Sequence, residues 1–295
     1  MADHLDGLSF RTVAHKYGIS IGTAFNKITT ELEQLPHCAD ISRNYCSKYS
    51  QILLVDGKFL KVKGYAHKIP VIYGIDYLSH DIPTYKLAPS ENYQVLLRFF
   101  QSLRLLNYPL QALVSDDNLN IPNACNLIYP KASWQLCLNH FKENIRISLQ
   151  TRTDPTSQPF MYDLEYLFKT KRSEDDFNRI AHHIVSKYLH NDTYIAVLAD
   201  IKRRKKNLMG YLNFKGTPRT NNLIESFNSH LNGRLKTIKG FESFKHADLW
   251  LNGYFIRRRL RVFTDCEGKF SSLNGECSLS FTLSNRDNLE KLQCM

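Results

Sequence analysis

Leu53, Leu54 and Val55 stand side by side in a stretch, Ile52 to Gly64, whose apolar residues have no helical spacing. A short apolar run of this kind predicts a buried strand. The run leads straight into one acid, Asp56, and Gly57 behind it permits a bend or a close approach. Phe59, Leu60 and Val62 then resume an extended pattern. Val71 to Ile75 and Ile82 to Leu87 are two more extended runs, with Ser79, His80 and Asp81 between them as a turn. Three consecutive strands predict an antiparallel meander. From Asn92 to Leu106, Val95, Leu96, Phe99, Phe100 and Leu103 fall on one side, the pattern of an amphipathic helix, which Tyr108 and Pro109 end. Leu110 to Val114 is a further apolar strand, and it too ends at acids, Asp116 and Asp117. Ile121 to Ile128 reads as a helix and Trp134 to Leu138 as a short strand. Strands, a helix and a parallel return strand make an α/β arrangement.

Ahead of the sheet pattern, Val13, Ala14 and Tyr17 sit at helical spacing, and Gly18 breaks it. Ser20 can cap a second helix carrying Ile21, Ala24, Phe25 and Ile28. Helix, Gly-containing turn and helix form the helix-turn-helix pattern, which lays its second helix in the DNA major groove. Ser20, Thr23, Asn26 and Lys27 would then face DNA, with Arg11, His15 and Lys16 as phosphate contacts. The plainer alternative is a helical hairpin packed on the next domain. Residues 36–50 lack clear periodicity and read as a linker, with Cys38 and Cys46 as free thiols.

Beyond Phe141 the chain is helical and charged up to Gly210, interrupted by a polar loop at 151–159. The adjacent His182 and His183 read as one exposed and one packed side chain. Lys202 to Lys206 is a basic run, either a solvated helix face or a phosphate-contact patch, with Arg203 and Arg204 as candidates. Asn222 and Glu225 stand three apart at the start of the next helix, which fits a capping box and also lets Glu225 serve as a functional carboxylate. Leu249 to Phe263 is a last helix ending in Arg257, Arg258, Arg259 and Arg261. These cations suit a helix C-terminus or a DNA backbone. Residues 264–295 are polar and irregular and read as a loosely packed tail.

The balance of charge narrows the partners. With Lys+Arg 39 against Asp+Glu 28, the net charge is +11, which favours a polyanion and nucleic acid first. At 43% hydrophobic and 23% charged residues, the composition is that of a soluble globular chain. No apolar run of about 18 residues predicts a membrane helix. The N-terminus is unlike a signal peptide. Seven scattered cysteines suit a reducing compartment. The expected location is the bacterial cytoplasm, associated with DNA, or the nucleus in a eukaryote.

Asp56 and Asp116 end two strands, and neighbouring strands would bring the carboxylates to one sheet edge. Like charges held close must share a proton or a cation, and hard oxygen ligands suit Mg²⁺ or Mn²⁺. Cys137 and His140, at C-x-x-H spacing, are half of a zinc site with no evident second pair. Structural packing, or a hydrogen bond positioning the acids, is the other reading of that pair.

VDGKF, VSDDN, C-x-x-H and TNNLIESFN, in that order, resemble the DDE transposases of the Mutator type and related bacterial insertion-sequence transposases. The resemblance runs from about Ile52 to Arg261, with the helix-turn-helix in front. It implies a ribonuclease-H-like fold. Residues 1–35 would be the DNA-binding unit, 36–50 a linker, 51–145 and 216–262 the two parts of the core, 146–215 a helical insertion and 263–295 a tail. It implies catalytic, metal-holding acids at Asp56, Asp116 and Glu225. Asp116 is chosen over Asp117 because it directly follows Val114 and Ser115. The C-x-x-H step falls on Cys137 and His140, with Asn222 at the head of the glutamate helix. Two Mg²⁺ or Mn²⁺ ions about 3.5–4 Å apart would stabilise the attacking and leaving oxygens, Asp56 bridging both. The implied reaction is cleavage at the terminal inverted repeats, then attack of the freed 3′-hydroxyl on target DNA, by a homodimer or higher oligomer. A transposase-derived, sequence-specific DNA-binding protein that does not cut is the alternative reading.

Overall fold

The computed structural model describes residues 1–294. Three helices lead: α1 (Ala2–Leu5), α2 (Phe10–Tyr17) and α3 (Ile21–Glu33). Serine hydroxyls cap the last two, Ser9 accepting from Thr12 N–H at 3.2 Å and Ser20 from Thr23 N–H at 3.0 Å. Gly18 closes α2 with φ 63°, a left-handed conformation that favours glycine. Val13 and Ala14 of α2 and Ala24, Ile28 and Leu32 of α3 are buried. Ser20, Thr23, Asn26 and Lys27 are exposed, as are Arg11 and His15, whereas Lys16 is tied to Asp3 at 2.7 Å. Ile21, expected on the apolar side, is 50% exposed. Residues 36–50, aperiodic in sequence, hold a helix, α4 (Cys38–Tyr45), with Cys38, Ile41 and Ser42 buried. Two of those three inward residues are not apolar markers, which hid the helix.

The meander follows as expected. β1 (Ile52–Leu60), β2 (Ile69–Asp76) and β3 (Tyr85–Leu87) pair antiparallel. Asn92 caps α5 (Tyr93–Leu105), accepting from Val95 N–H at 3.1 Å. That helix buries Leu96, Phe99, Phe100 and Leu103 and returns the chain to β4 (Ala112–Ser115), parallel to β1. α6 (Asn120–Ile128) leads to β5 (Ser133–Leu136), parallel to β4. The sheet order is β3-β2-β1-β4-β5, so the strand carrying Asp56 is central.

Four helices come between β5 and the rest: α7 (Leu138–Ser148), α8 (Gln158–Leu167), α9 (Glu174–Lys187) and α10 (Asp192–Leu208). They close around their own apolar cluster, including Phe141, Phe160, Leu164, Phe177, Ile184 and Ile201, separate from the core under the sheet. His182 and His183 are both exposed, contrary to the expectation that one would be packed. Phe177, Ile180 and Ile184 form the inward stripe of α9, and neither histidine falls on it.

α11 (Asn222–Ile238) and α12 (Phe244–Leu260) complete the main core, followed by α13 (Ser278–Thr282) and α14 (Asn288–Gln293). Residues 264–294 are packed rather than loose: Leu273, Cys277, Leu279, Leu283 and Leu292 are buried. A buried ion pair gathers them. Arg259 is 1% exposed and Asp81 0%, with Nε to Oδ1 and Nη2 to Oδ2 both at 2.8 Å. Thr282 Oγ1 donates to Asp81 Oδ2 at 2.8 Å, and Arg259 Nη1 donates to the Cys38 carbonyl at 3.1 Å. The Ser79–Asp81 turn is therefore interior. Trp250 Nε1 donates to the His4 carbonyl at 3.1 Å, and Arg257 pairs with Asp6 at 2.7 Å, so α12 also holds the N-terminal helices.

His246 sits in that junction, stacked 5.7 Å from His4 and close to Phe10 and Phe25. Neither ring nitrogen has a partner among the described residues. Burial pushes its pKa down to about 4. The unfolded chain protonates near the ordinary value of about 6.5. Stability is thus full above that value and lost as the pH falls from about 6.5 to 4, at about 1.4 kcal/mol per pH unit. Comparing urea midpoints at pH 7 and pH 5, His246→Phe is expected to flatten the loss by about 2 kcal/mol. Equal losses in the two proteins would discard this account.

Candidate functional site

β1 and β4 run parallel with Leu54 opposite Val114, so Asp56 and Asp116 each stand two residues beyond a paired position on adjacent strands. Asp56 is partly buried, and its Oδ1 accepts the Gly57 N–H at 2.8 Å. Burial pushes its carboxyl up to about 6, and the negative charges of Asp116 and Glu225 add to that, against the Gly57 bond and His140. The three acids thus share one neighbourhood and repel one another. A fourth joins them. Glu91 accepts from Asn118 Nδ2 at 2.7 Å, and burial together with Asp116 pushes its pKa up. A Cβ on Gly57 would stand 3.3 Å from Glu91 Oε2, so glycine there leaves room for this carboxylate. Nothing in the pattern marked Glu91 beyond its place just ahead of the capping Asn92.

Asp117 points elsewhere. It forms an ion pair with Arg204 of α10, which also bonds Asp200. Arg203 pairs with Asp200, and Lys205 with Glu174 at 2.6 Å. Much of the basic run is therefore answered by acids within the insertion.

The glutamate helix starts one residue earlier than a capping box headed by Asn222 requires. Asn221 is the N-cap, with no side-chain cap bond, and Asn222 is the first helical residue. Asn222 Oδ1 instead accepts from Asn139 Nδ2 at 2.7 Å, so its oxygen is already engaged by α7. Ile224, Phe227 and Leu231 are buried and anchor α11. Glu225 and Asn228, three apart, lie along one helix face. Asn228 Nδ2 donates to Asp56 Oδ2 at 2.7 Å, and Tyr73 O–H donates to Asn228 Oδ1 at 2.6 Å. Tyr73 is the cross-strand partner of Asp56. Sequence reasoning missed both residues; the three-residue step from Glu225 was the signal for Asn228.

His140 Nδ1 lies 3.6 Å from Glu225 Oε1. The adjoining Cys137 sulfur, with the charges of Glu225 and Asp116, raises the imidazole to about 9 despite burial. Cys137 is buried at the N-cap of α7, and its Sγ accepts the Asn221 N–H at 3.4 Å. The C-x-x-H pair thus touches the acid on α11. Far along the chain, Arg258 packs over the rings of Phe227 and Phe263. With Arg257, Arg234, Arg261 and His230 it lines a basic hollow of about 250 Å³.

Residues 13–246 match the family model described as transposase, Mutator family. The chain is also similar to the transposase for insertion sequence element IS1201 of Lactobacillus helveticus, 22% identical over 178 residues. That alignment covers 58% of this chain and 46% of the relative, so it spans about half the length of that curated protein.

Proposed function

The chain belongs to the Mutator family of transposases, and from that premise we propose that it cuts DNA at the ends of a mobile element and joins them to a target. The observation that carries the reading is the convergence of Asp56, Asp116 and Glu225: burial raises the Asp56 carboxyl to about 6, and the charges of the other two acids add to that. Uncompensated carboxylates at one place fit divalent cations. Asp56, Asp116 and Glu225 would hold Mg²⁺ or Mn²⁺. When bound, such ions supply positive charge for an in-line displacement at phosphorus.

The chain's own residues prepare that place. Asn228, itself held by Tyr73, orients the Asp56 carboxylate. Arg204 engages Asp117, which leaves Asp116 as the acid that faces Asp56 in this reading. An antiparallel meander followed by parallel return strands supports a ribonuclease-H-like core, and α7 to α10 a helical insertion. The Gly18 turn and the exposed Ser20, Thr23, Asn26 and Lys27 support a helix-turn-helix that reads DNA. Arg257 and Arg258 would meet the backbone from their basic hollow. Bringing two ends together calls for at least a dimer.

The test is a cleavage and strand-transfer assay on DNA bearing the element's ends, with Mg²⁺ or Mn²⁺. The wild type is expected to nick and join. Glu225→Gln and Asp116→Asn should lose activity by about 10²–10³-fold, the range for removing one group that meets transition-state charge. Asp117→Asn should retain activity. A wild type that binds the ends but never cuts them with either metal would leave a DNA-binding protein only.

A further inference from the structure

We propose that Cys137, His140 and Glu225 form a separate seat for a borderline transition ion of the Zn²⁺ class, beside the carboxylate site. One ligand atom from each lies within 4.8 Å of the others. This donor set differs in kind from the oxygen-only group on β1 and β4. Sulfur, imidazole and a single carboxylate select Zn²⁺ or Co²⁺ over Mg²⁺.

Three features prepare these side chains as ligands. Cys137 occupies the N-cap of the 11-residue α7, which fixes its sulfur on the side of the helix that His140 shares. The Asn221 N–H donates to its Sγ at 3.4 Å, an outer-shell bond of the kind that supports metal-bound sulfur. His140 Nδ1 is shielded from solvent and has no hydrogen-bond partner among the described residues. It stands 3.6 Å from Glu225 Oε1, a span that an ion with bonds of about 2.0–2.2 Å bridges. Cys137 itself is buried while His140 and Glu225 are each about 40% exposed on their side chains, so the seat has a closed floor and an open mouth. Three protein ligands leave the fourth position of a tetrahedral ion to water.

Glu225 belongs to both seats, which gives the inference its consequence. An ion held by Cys137 and His140 draws Glu225 away from the acids on the sheet. Occupancy of this seat therefore opposes the activity proposed above. That consequence rests on the proposed function, but the seat itself does not.

The test uses the full chain, freed of metal, in a Cys266→Ser/Cys294→Ser background that removes the two cysteines that solvent reaches. Co²⁺ titration should produce one equivalent of thiolate-to-cobalt charge-transfer absorption, displaced by Zn²⁺ and not by excess Mg²⁺. Cys137→Ser should abolish the band. His140→Ala and Glu225→Gln should weaken Co²⁺ by more than the 10–100-fold that loss of an outer-shell partner costs. No band in the parent protein, or a band that survives Cys137→Ser, overturns the inference. Should Cys137→Ser fail to fold, unchanged Co²⁺ affinity in both His140→Ala and Glu225→Gln overturns it equally. A protein that binds Co²⁺ this way but never cuts DNA leaves the seat standing and removes the transposase reading. One that cuts DNA without the band does the reverse.

Discussion

Asp56→Asn is expected to abolish DNA cleavage and strand transfer, by at least about 10²–10³-fold, while making the metal-free protein more stable. Both effects follow from one carboxylate. Its pKa stands at about 6 in the folded chain against 3.8 ordinarily. Between those values the folded state holds a proton that the unfolded state gives up. Folded stability therefore falls as the pH rises through that window, and the loss is complete above about 6. Two units correspond to up to about 3 kcal/mol at pH 7. Asparagine carries no charge and escapes this loss. It also keeps the local bonds. Its Oδ1 can accept the Gly57 N–H as Asp56 does, and a turned Asn228 amide can accept from its Nδ2 while donating to the Tyr73 hydroxyl. Urea melts at pH 7 without metal should show Asp56→Asn above the wild type. At pH 4 the gap should close. An active Asp56→Asn would sink the catalytic assignment. A destabilised one would sink the account of why the carboxylate is raised.

Asp81→Ala is expected to be the most damaging single substitution to the fold, costing about 3–5 kcal/mol. It leaves the Arg259 guanidinium, 1% exposed, without its carboxylate. It also strips Thr282 Oγ1 of its 2.8 Å acceptor. Against a typical total of about 5–15 kcal/mol, that is a large share. Replacing both partners, Asp81→Leu with Arg259→Met, should recover most of the loss, because no charge is then buried alone. Urea midpoints of the single and double variants decide it. A single variant within about 1 kcal/mol of the wild type would show that the pair is not buried as described.

The strands and α5 were legible because their signals are local. Apolar runs end at acids or turns, and Asn92 stands where a cap must be. The parallel return strand followed from the same pattern, and with it the approach of Asp116 to Asp56. The segments misread as linker and tail share another property. Their inward faces are partly polar: Ser42 in α4, and Ser278 and Thr282 in α13. Such residues look solvated until one knows that the Pro83 carbonyl awaits Ser42, and that Asp81 and Arg259 await Ser278 and Thr282 from up to 201 residues away. The helix start at Asn222 was misjudged for a related reason. A local rule assigned its oxygen to Glu225, while Asn139, 83 residues earlier, takes it. Glu91 carries no sequence mark that separates it from ordinary loop residues, and Asn228 only its three-residue step from Glu225.

The Asp81–Arg259 pair also orders events in time. The partners are 178 residues apart, so at about 5–20 residues per second a ribosome takes roughly 9–36 s to deliver the second after the first. Throughout that interval the turn after β2 carries a charge it cannot bury. The meander, although local in sequence, is held open at one corner until α12 emerges. Chains cut short before Arg259 by a frameshift or an early stop never close that corner.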